Sequence, residues 1–207
     1  MRLSERAIGA VKVLIFLVAL VPLVRLLLGI FAFPDWLGAN PAEFITRSLG
    51  DWALRLLLLT LAVTPLRKVS GWAWLARLRR MLGLYAFFYV VLHVSSYVTF
   101  DHVFDIGAIV VDVVKRPFIT VGFLSLLLLL PLAVTSTNAM VRRLGARRWR
   151  ALHRIVYAVA PLAVLHFWWM VKRDITEPVI YALVLAILLG YRLVDKWRAP
   201  RVAYADR

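Results

Sequence analysis

The stretch that decides the fold is Trp149–Trp169, WRALHRIVYAVAPLAVLHFWW. It is apolar enough to cross a hydrocarbon core about 30 Å thick, which takes roughly 20 helical residues. It nevertheless carries two histidines, His153 and His166, thirteen residues apart. At about 1.5 Å of rise per residue their imidazoles lie roughly 20 Å apart along the axis, one toward each membrane face. Ionisable side chains at such depth are expensive and mark functional sites. Imidazole is a common axial ligand of haem iron, so a haem-holding helix is the reading the rest of the chain has to meet.

Composition sets the class. The 207 residues are 63% hydrophobic, with a mean hydropathy of +0.82 and no cysteine. A soluble domain of this size is far less apolar, so the fold class is an all-α, polytopic membrane protein. The lack of cysteine excludes disulfides, iron–sulfur clusters and thiolate-ligated haem. Hydrophobic runs give six spans, at about 13–33, 52–66, 82–99, 117–135, 149–170 and 178–194, in a single domain over 1–207. Pro34, Pro65, Pro117 and Pro178 mark several of their ends. The first span follows Arg2, Arg6 and Lys12 like a signal peptide, but no small-x-small cleavage site follows it, so it is expected to be retained.

Assigning the connections to alternate sides separates the charge. The amino-terminal segment, the 66–81 and 136–154 loops and the tail from Tyr191 hold 19 Lys/Arg against three acids. The 34–51, 101–117 and 171–178 loops hold 5 Lys/Arg against eight acids. The positive-inside rule then puts both termini in the cytoplasm, in a six-helix N-in/C-in bundle. The net charge of +15 is thereby explained by topology and attraction to anionic membrane lipid, and nucleic-acid binding is not expected.

In this topology spans three and five run in the same direction. Span three carries His93, with Arg79 fourteen residues before it and within about 40° of the same face. Spacings of fourteen and thirteen can pair His93 with His166 at an outer level and Arg79 with His153 at an inner one. The outer pair is the bis-imidazole set that a low-spin b-type haem needs, held between spans three and five. Thirteen residues turn a helix by about 220°, so His153 and His166 share a face only if the helix is re-aimed, for which Pro161 is the candidate kink. An interfacial place for His153 and a positive-inside role for Arg79 compete with ligation. Arg55, four residues after Asp51, is either an i,i+4 ion pair or a partner for a propionate of the outer haem. Arg25 lies deep in span one with no assignable partner. His102 is expected in an exposed loop, and Trp149, Trp168, Trp169 and Trp197 as interfacial anchors. No catalytic residue stands out: there is no dinucleotide fingerprint, Walker loop or nucleophile elbow. The tail after span six is too short for a flavin or nicotinamide domain, since one βαβ unit takes about 30 residues.

The set RLRRMLGLYAFFYVVLHVSSY (77–97), LAVTSTNAM (132–140) and RRWRALHRIVYAVAPLAVLHFWW (147–169), with the opening MRL and the TPL at the end of span two, carries a resemblance. It is similar to the haem-binding membrane subunits of bacterial periplasmic protein-methionine-sulfoxide reductase systems, within the ferric-reductase-like transmembrane superfamily. Members of that superfamily often have two histidines on each ligand helix, whereas span three here has His93 alone, with Arg79 or Arg80 near the second position. The resemblance implies an electron-transfer subunit of the bacterial inner membrane without substrate chemistry of its own. It would pass electrons from the quinone pool through one haem b, or two, to a periplasmic molybdenum-cofactor methionine sulfoxide reductase. It also implies FMN, and it puts the haem site at His93, His153 and His166. Two other readings stand beside it. One is a ferric or cupric reductase module fed by a separate cytosolic flavoprotein; the other is a non-redox transporter or channel with functional histidines.

Overall fold

The computed structural model describes residues 3–171 and 173–198. Arg2, Lys172, Arg201, Asp206 and Arg207, which entered the charge distribution, lie outside the described residues. The chain is an all-α polytopic membrane protein with eight α-helices among the described residues. They are α1 (Glu5–Phe31), α2 (Pro41–Ser70), α3 (Arg79–Phe100), α4 (Ile106–Lys115), α5 (Pro117–Val134), α6 (Asn138–His153), α7 (Val156–Met170) and α8 (Thr176–Arg198). Among the described residues six stretches are long and apolar enough to cross a membrane, with α6 and α7 together forming the fifth.

Local chemistry sets the boundaries. Asn40 caps α2 by accepting from the Glu43 N–H, its amide donates back to the Glu43 carboxylate, and Pro41 supplies the first turn. Gly71, at φ 72°, ends α2 in the left-handed region. Asp105 caps α4 and Thr137 caps α6 in the same way. Asp174 accepts from the Thr176 N–H at 2.9 Å. Hydrogen bonds from the Thr176 hydroxyl and N–H hold its carboxyl below the usual carboxylate range.

Pro65 does not end the second span; α2 continues to Ser70. A proline in a helix orphans the carbonyl four residues back, which in lipid is costly unless another donor arrives. Here that carbonyl belongs to Leu61, and the Arg192 guanidinium of α8 donates to it. The same guanidinium donates to the Leu188 carbonyl at 2.8 Å and lies over the Tyr157 ring.

The fifth span is broken at Arg154–Ile155, between α6 and α7, while α7 runs unbroken through Pro161. The turn is tightened by bonds between residues three apart: Ile155 N–H to Leu152, Tyr157 N–H to Arg154, and Ala158 N–H to Ile155 at 2.8 Å. Such winding turns about 120° per residue instead of 100°, which adds rotation in the direction His153 and His166 needed. The junction thus contributes rotation toward a shared face, and α7 is not interrupted at Pro161. Gly145, at φ 75° and ψ 151°, breaks α6 once more.

α2 is the central helix, with Leu54, Leu56, Leu57, Leu58 and Leu61 all buried. It packs extensively on α3, and α5 packs extensively on α7. Tyr85 and Tyr89 tie α3 to α1, donating to the carbonyls of Phe16 at 3.1 Å and Ala19 at 2.6 Å. α3 and α7, the two helices that carry His93 and His166, do not pack along one another.

Candidate functional site

His93 projects from α3 and His166 from α7, each toward a helix other than its own. The Nδ1 of His93 lies 2.8 Å from the Thr46 carbonyl oxygen on α2. The Nδ1 of His166 lies 2.7 Å from the Phe118 carbonyl oxygen on α5. A carbonyl only accepts, so both Nδ1 atoms carry the hydrogen, and in the neutral ring the lone pair is left on Nε2.

The two cradles are built alike. Thr46 is followed four residues later by Gly50, and Phe118 by Gly122, and each imidazole lies against that glycine. A Cβ at position 50 would stand 3.1 Å from the His93 ring, and one at position 122 would stand 2.7 Å from His166 Nδ1. Glycine removes the side chain that would keep the ring away from the carbonyl one turn earlier.

The two imidazole centroids are 6.2 Å apart, with planes at 74°. With a metal–nitrogen bond of about 2.0 Å and a ring nitrogen about 1.1 Å from its centroid, two imidazoles on opposite sides of one ion have centroids about 6.2 Å apart. The separation fits a bis-imidazole iron. Among the described residues no group of three or more His, Cys, Asp or Glu gathers as a metal site, so a mononuclear site built from protein ligands alone has no support.

The inner level is different. His153 Nε2 lies 3.1 Å from Thr135 Oγ1, and its ring stacks on Trp149 with centroids 3.9 Å apart. Trp149 in turn donates to the Thr135 carbonyl. Arg79 donates to Thr64 Oγ1 on α2 at 2.7 Å, and Arg80 donates to Asn138. Arg79 and His153 thus make separate contacts, to the hydroxyls of Thr64 and Thr135. His153 and His166 do reach the same helix, α5, at its two ends.

Among the described residues Arg55 forms no ion pair with Asp51. Its Nε donates to the Tyr181 hydroxyl of α8 at 2.8 Å, and its guanidinium lies 5.0 Å from the Trp52 ring. Tyr181 packs edge-on against Phe167, the neighbour of His166 in α7. Arg25 lines a groove between α1 and α2. His102 is not a free loop residue: its Nε2 lies 3.2 Å from Asp112, which also accepts from Tyr97 and pairs with Arg116. The short helix α4, unforeseen in the 101–117 loop, brings Asp112 back over the end of α3.

Residues 49–164 match the family described as ferric reductase like transmembrane component. The chain belongs to this ferric-reductase-like transmembrane family. The matched segment spans α2 to α7, includes Gly50, His93, Gly122 and His153, and ends two residues before His166. The relatives within this family are similar over nearly their whole length. One from Herminiimonas arsenicoxydans is 55% identical over 94% of this chain and 89% of its own. One from Azospira oryzae is 54% identical over 94% and 83%, and one from Ralstonia nicotianae 52% over 96% and 92%. All three are named protein-methionine-sulfoxide reductase heme-binding subunit MsrQ.

Sequence reasoning pointed to both outer histidines but not to what orients them. Thr46 and Phe118 act through backbone carbonyls, which carry no residue signature. Gly50 and Gly122 were the available signal, since an isolated glycine in an apolar helix costs about 1 kcal/mol against alanine and calls for a packing reason.

Proposed function

We propose that this chain holds one b-type haem between His93 and His166 and serves as the membrane electron-transfer subunit of a protein-methionine-sulfoxide reductase. The observation that carries the reading is the facing pair of imidazoles, 6.2 Å between centroids, each with Nδ1 committed to a carbonyl. An acceptor behind a ligating imidazole fixes its tautomer and raises its basicity, so the carbonyls of Thr46 and Phe118 prepare both Nε2 atoms as ligands. The haem would supply one-electron transfer. α2 and α5 back the two rings and hold them at a fixed separation, so little reorganisation accompanies a change of charge between them. Arg55, anchored on Tyr181 beside Phe167, is the cation suited to a propionate at this level.

Charge asymmetry supports both termini in the cytoplasm of the bacterial inner membrane. His93 and His166 then sit in the outer half, near the side where a periplasmic molybdenum-cofactor partner would collect electrons. The donor is quinol, which gives up two electrons and two protons in becoming quinone. The acceptor is methionine sulfoxide, which takes two electrons and two protons to yield methionine and water. The near full-length similarity to subunits of one named system favours this acceptor over ferric or cupric ions. For FMN the described residues offer no glycine-rich phosphate cradle.

The test is optical and magnetic. Purified full-length protein should show a Soret band and, on reduction, the sharp α band of low-spin haem. His93→Ala and His166→Ala should each abolish the low-spin signal. Protein that stays colourless after reconstitution with haem, or both variants with wild-type spectra, would overturn the proposal.

A further inference from the structure

α1 and α2 form a groove of about 240 Å³ whose lining includes Val21 and Arg25 from α1 and Phe44, Ser48 and Trp52 from α2. Arg25 is the one charged residue of this lining, and among the described residues it takes part in no ion pair. It lies six residues, about 9 Å of rise, inside the end of α1. A guanidinium at that depth calls for an acceptor, and an ionisable residue in a membrane span marks a functional site. Trp52 gives the groove a fixed aromatic wall, because Arg55 lies over its ring and is itself held by Tyr181.

The position of this groove relative to His93 carries the argument. Phe44, Ser48 and Trp52 recur every four residues and line one face of α2. Thr46 and Gly50, the pair that cradles His93, each lie two residues beyond a groove residue, about 200° around the helix. One face of α2 therefore lines the groove while the opposite face, within one turn of the same height, holds the His93 ring. Only the thickness of α2, about 10 Å, separates them. A redox-active molecule in the groove would be a direct electron-transfer neighbour of His93.

We propose that this groove seats the headgroup of a membrane quinone. Arg25 donates to a ring carbonyl or hydroxyl oxygen, the Ser48 hydroxyl offers a second polar contact, and Phe44 and Trp52 flank the ring. A single cation among aromatic and aliphatic walls suits a neutral ring with oxygen acceptors and an isoprenoid tail that leaves into lipid. This site rests on quinol as the electron donor, as proposed above.

The test uses full-length protein in detergent and a decyl-substituted ubiquinone analogue, with binding followed by calorimetry. Arg25→Gln should weaken binding about tenfold or more, since it removes a charge-assisted hydrogen bond. Arg25→Lys should retain most of the affinity and controls for folding, and Ser48→Leu should block the groove. Quinol-driven reduction of the low-spin haem should slow in Arg25→Gln while dithionite reduces it fully. Wild-type affinity in both Arg25→Gln and Ser48→Leu would overturn the site and leave the quinol donor standing. No quinone binding by wild-type protein would overturn the donor reading and this site together, leaving the haem proposal intact. Displacement of the analogue by phosphatidylglycerol in an Arg25-dependent way would assign the groove to a lipid phosphate and also overturn the proposal.

Discussion

Gly122→Ala separates a haem-ligand cradle from ordinary helix packing. Elsewhere in a helix this substitution favours the helix by about 1 kcal/mol. At position 122 the added methyl would stand 2.7 Å from Nδ1 and 2.8 Å from Cε1 of His166. Ordinary contact begins near 3.4 Å, so 3.4 less 2.7 requires a withdrawal of about 0.7 Å. That lengthens the 2.7 Å bond from Nδ1 to Phe118 to about 3.4 Å, beyond a useful hydrogen bond, at a cost of about 1 kcal/mol. The same displacement would take the ring out of the position that the Phe118 carbonyl now fixes, and with it the Nε2 that would hold the iron. Electron paramagnetic resonance and the reduced α band should show conversion from low-spin to high-spin haem. Gly50→Ala, whose Cβ would meet the His93 ring at 3.1 Å, needs a shift of only about 0.3 Å and should stay low-spin with a displaced potential. Gly190→Ala, with nothing near its Cβ, is the control and should change neither. A wild-type spectrum and potential in Gly122→Ala protein would refute the reasoning.

Three further substitutions test the surroundings. Pro161→Ala should leave the low-spin signal of His166 unchanged and raise the melting temperature slightly, because α7 is continuous there; loss of the signal would return the re-aiming to Pro161. Tyr181→Phe removes the acceptor that anchors Arg55 and should lower stability by about 1–2 kcal/mol, read as a lower Tm in detergent with the haem spectrum kept, whereas an unchanged Tm would argue against a fixed Arg55. Asp112→Asn weakens three contacts at once, to Tyr97, His102 and Arg116, so amide hydrogen exchange across 101–116 should accelerate; protection equal to wild type would mean that α4 is held by its apolar face alone.

The membrane class and the outer histidine pair were legible because they depend on quantities a sequence displays: run length, charge alternation and depth. His93 and His166 could be matched by counting residues from the basic ends of their spans. What the sequence concealed depends on groups without a sequence signature or on distant partners. Pro65 reads as a stop because the donor that rescues the Leu61 carbonyl is Arg192, which lies 131 residues further along. The break at Arg154–Ile155 contains neither glycine nor proline, so no residue type announced it. Arg79 had the right height to meet His153, but height does not reveal that Thr64 is nearer.

The hydrogen bonds also distinguish the inner level from the outer one in kind. Thr135 Oγ1 lies 2.6 Å from the Pro131 carbonyl and so spends its single hydrogen there. The same oxygen must then accept at 3.1 Å from His153, which makes Nε2 the protonated nitrogen of that ring and leaves the lone pair on Nδ1. His93 and His166 have the reverse tautomer, because their Nδ1 atoms face carbonyls. The outer rings thus present Nε2 to a metal without rearrangement. His153 would have to release Thr135 and change tautomer before it could ligate through Nε2, giving up about 1 kcal/mol of hydrogen bonding. It would also give up its stacking on Trp149, worth about 0.5–1.5 kcal/mol. These costs are small beside a metal bond, so what distinguishes the levels is preorganisation: α2 and α5 aim both outer imidazoles, while at the inner level the same helix, α5, ties its histidine down.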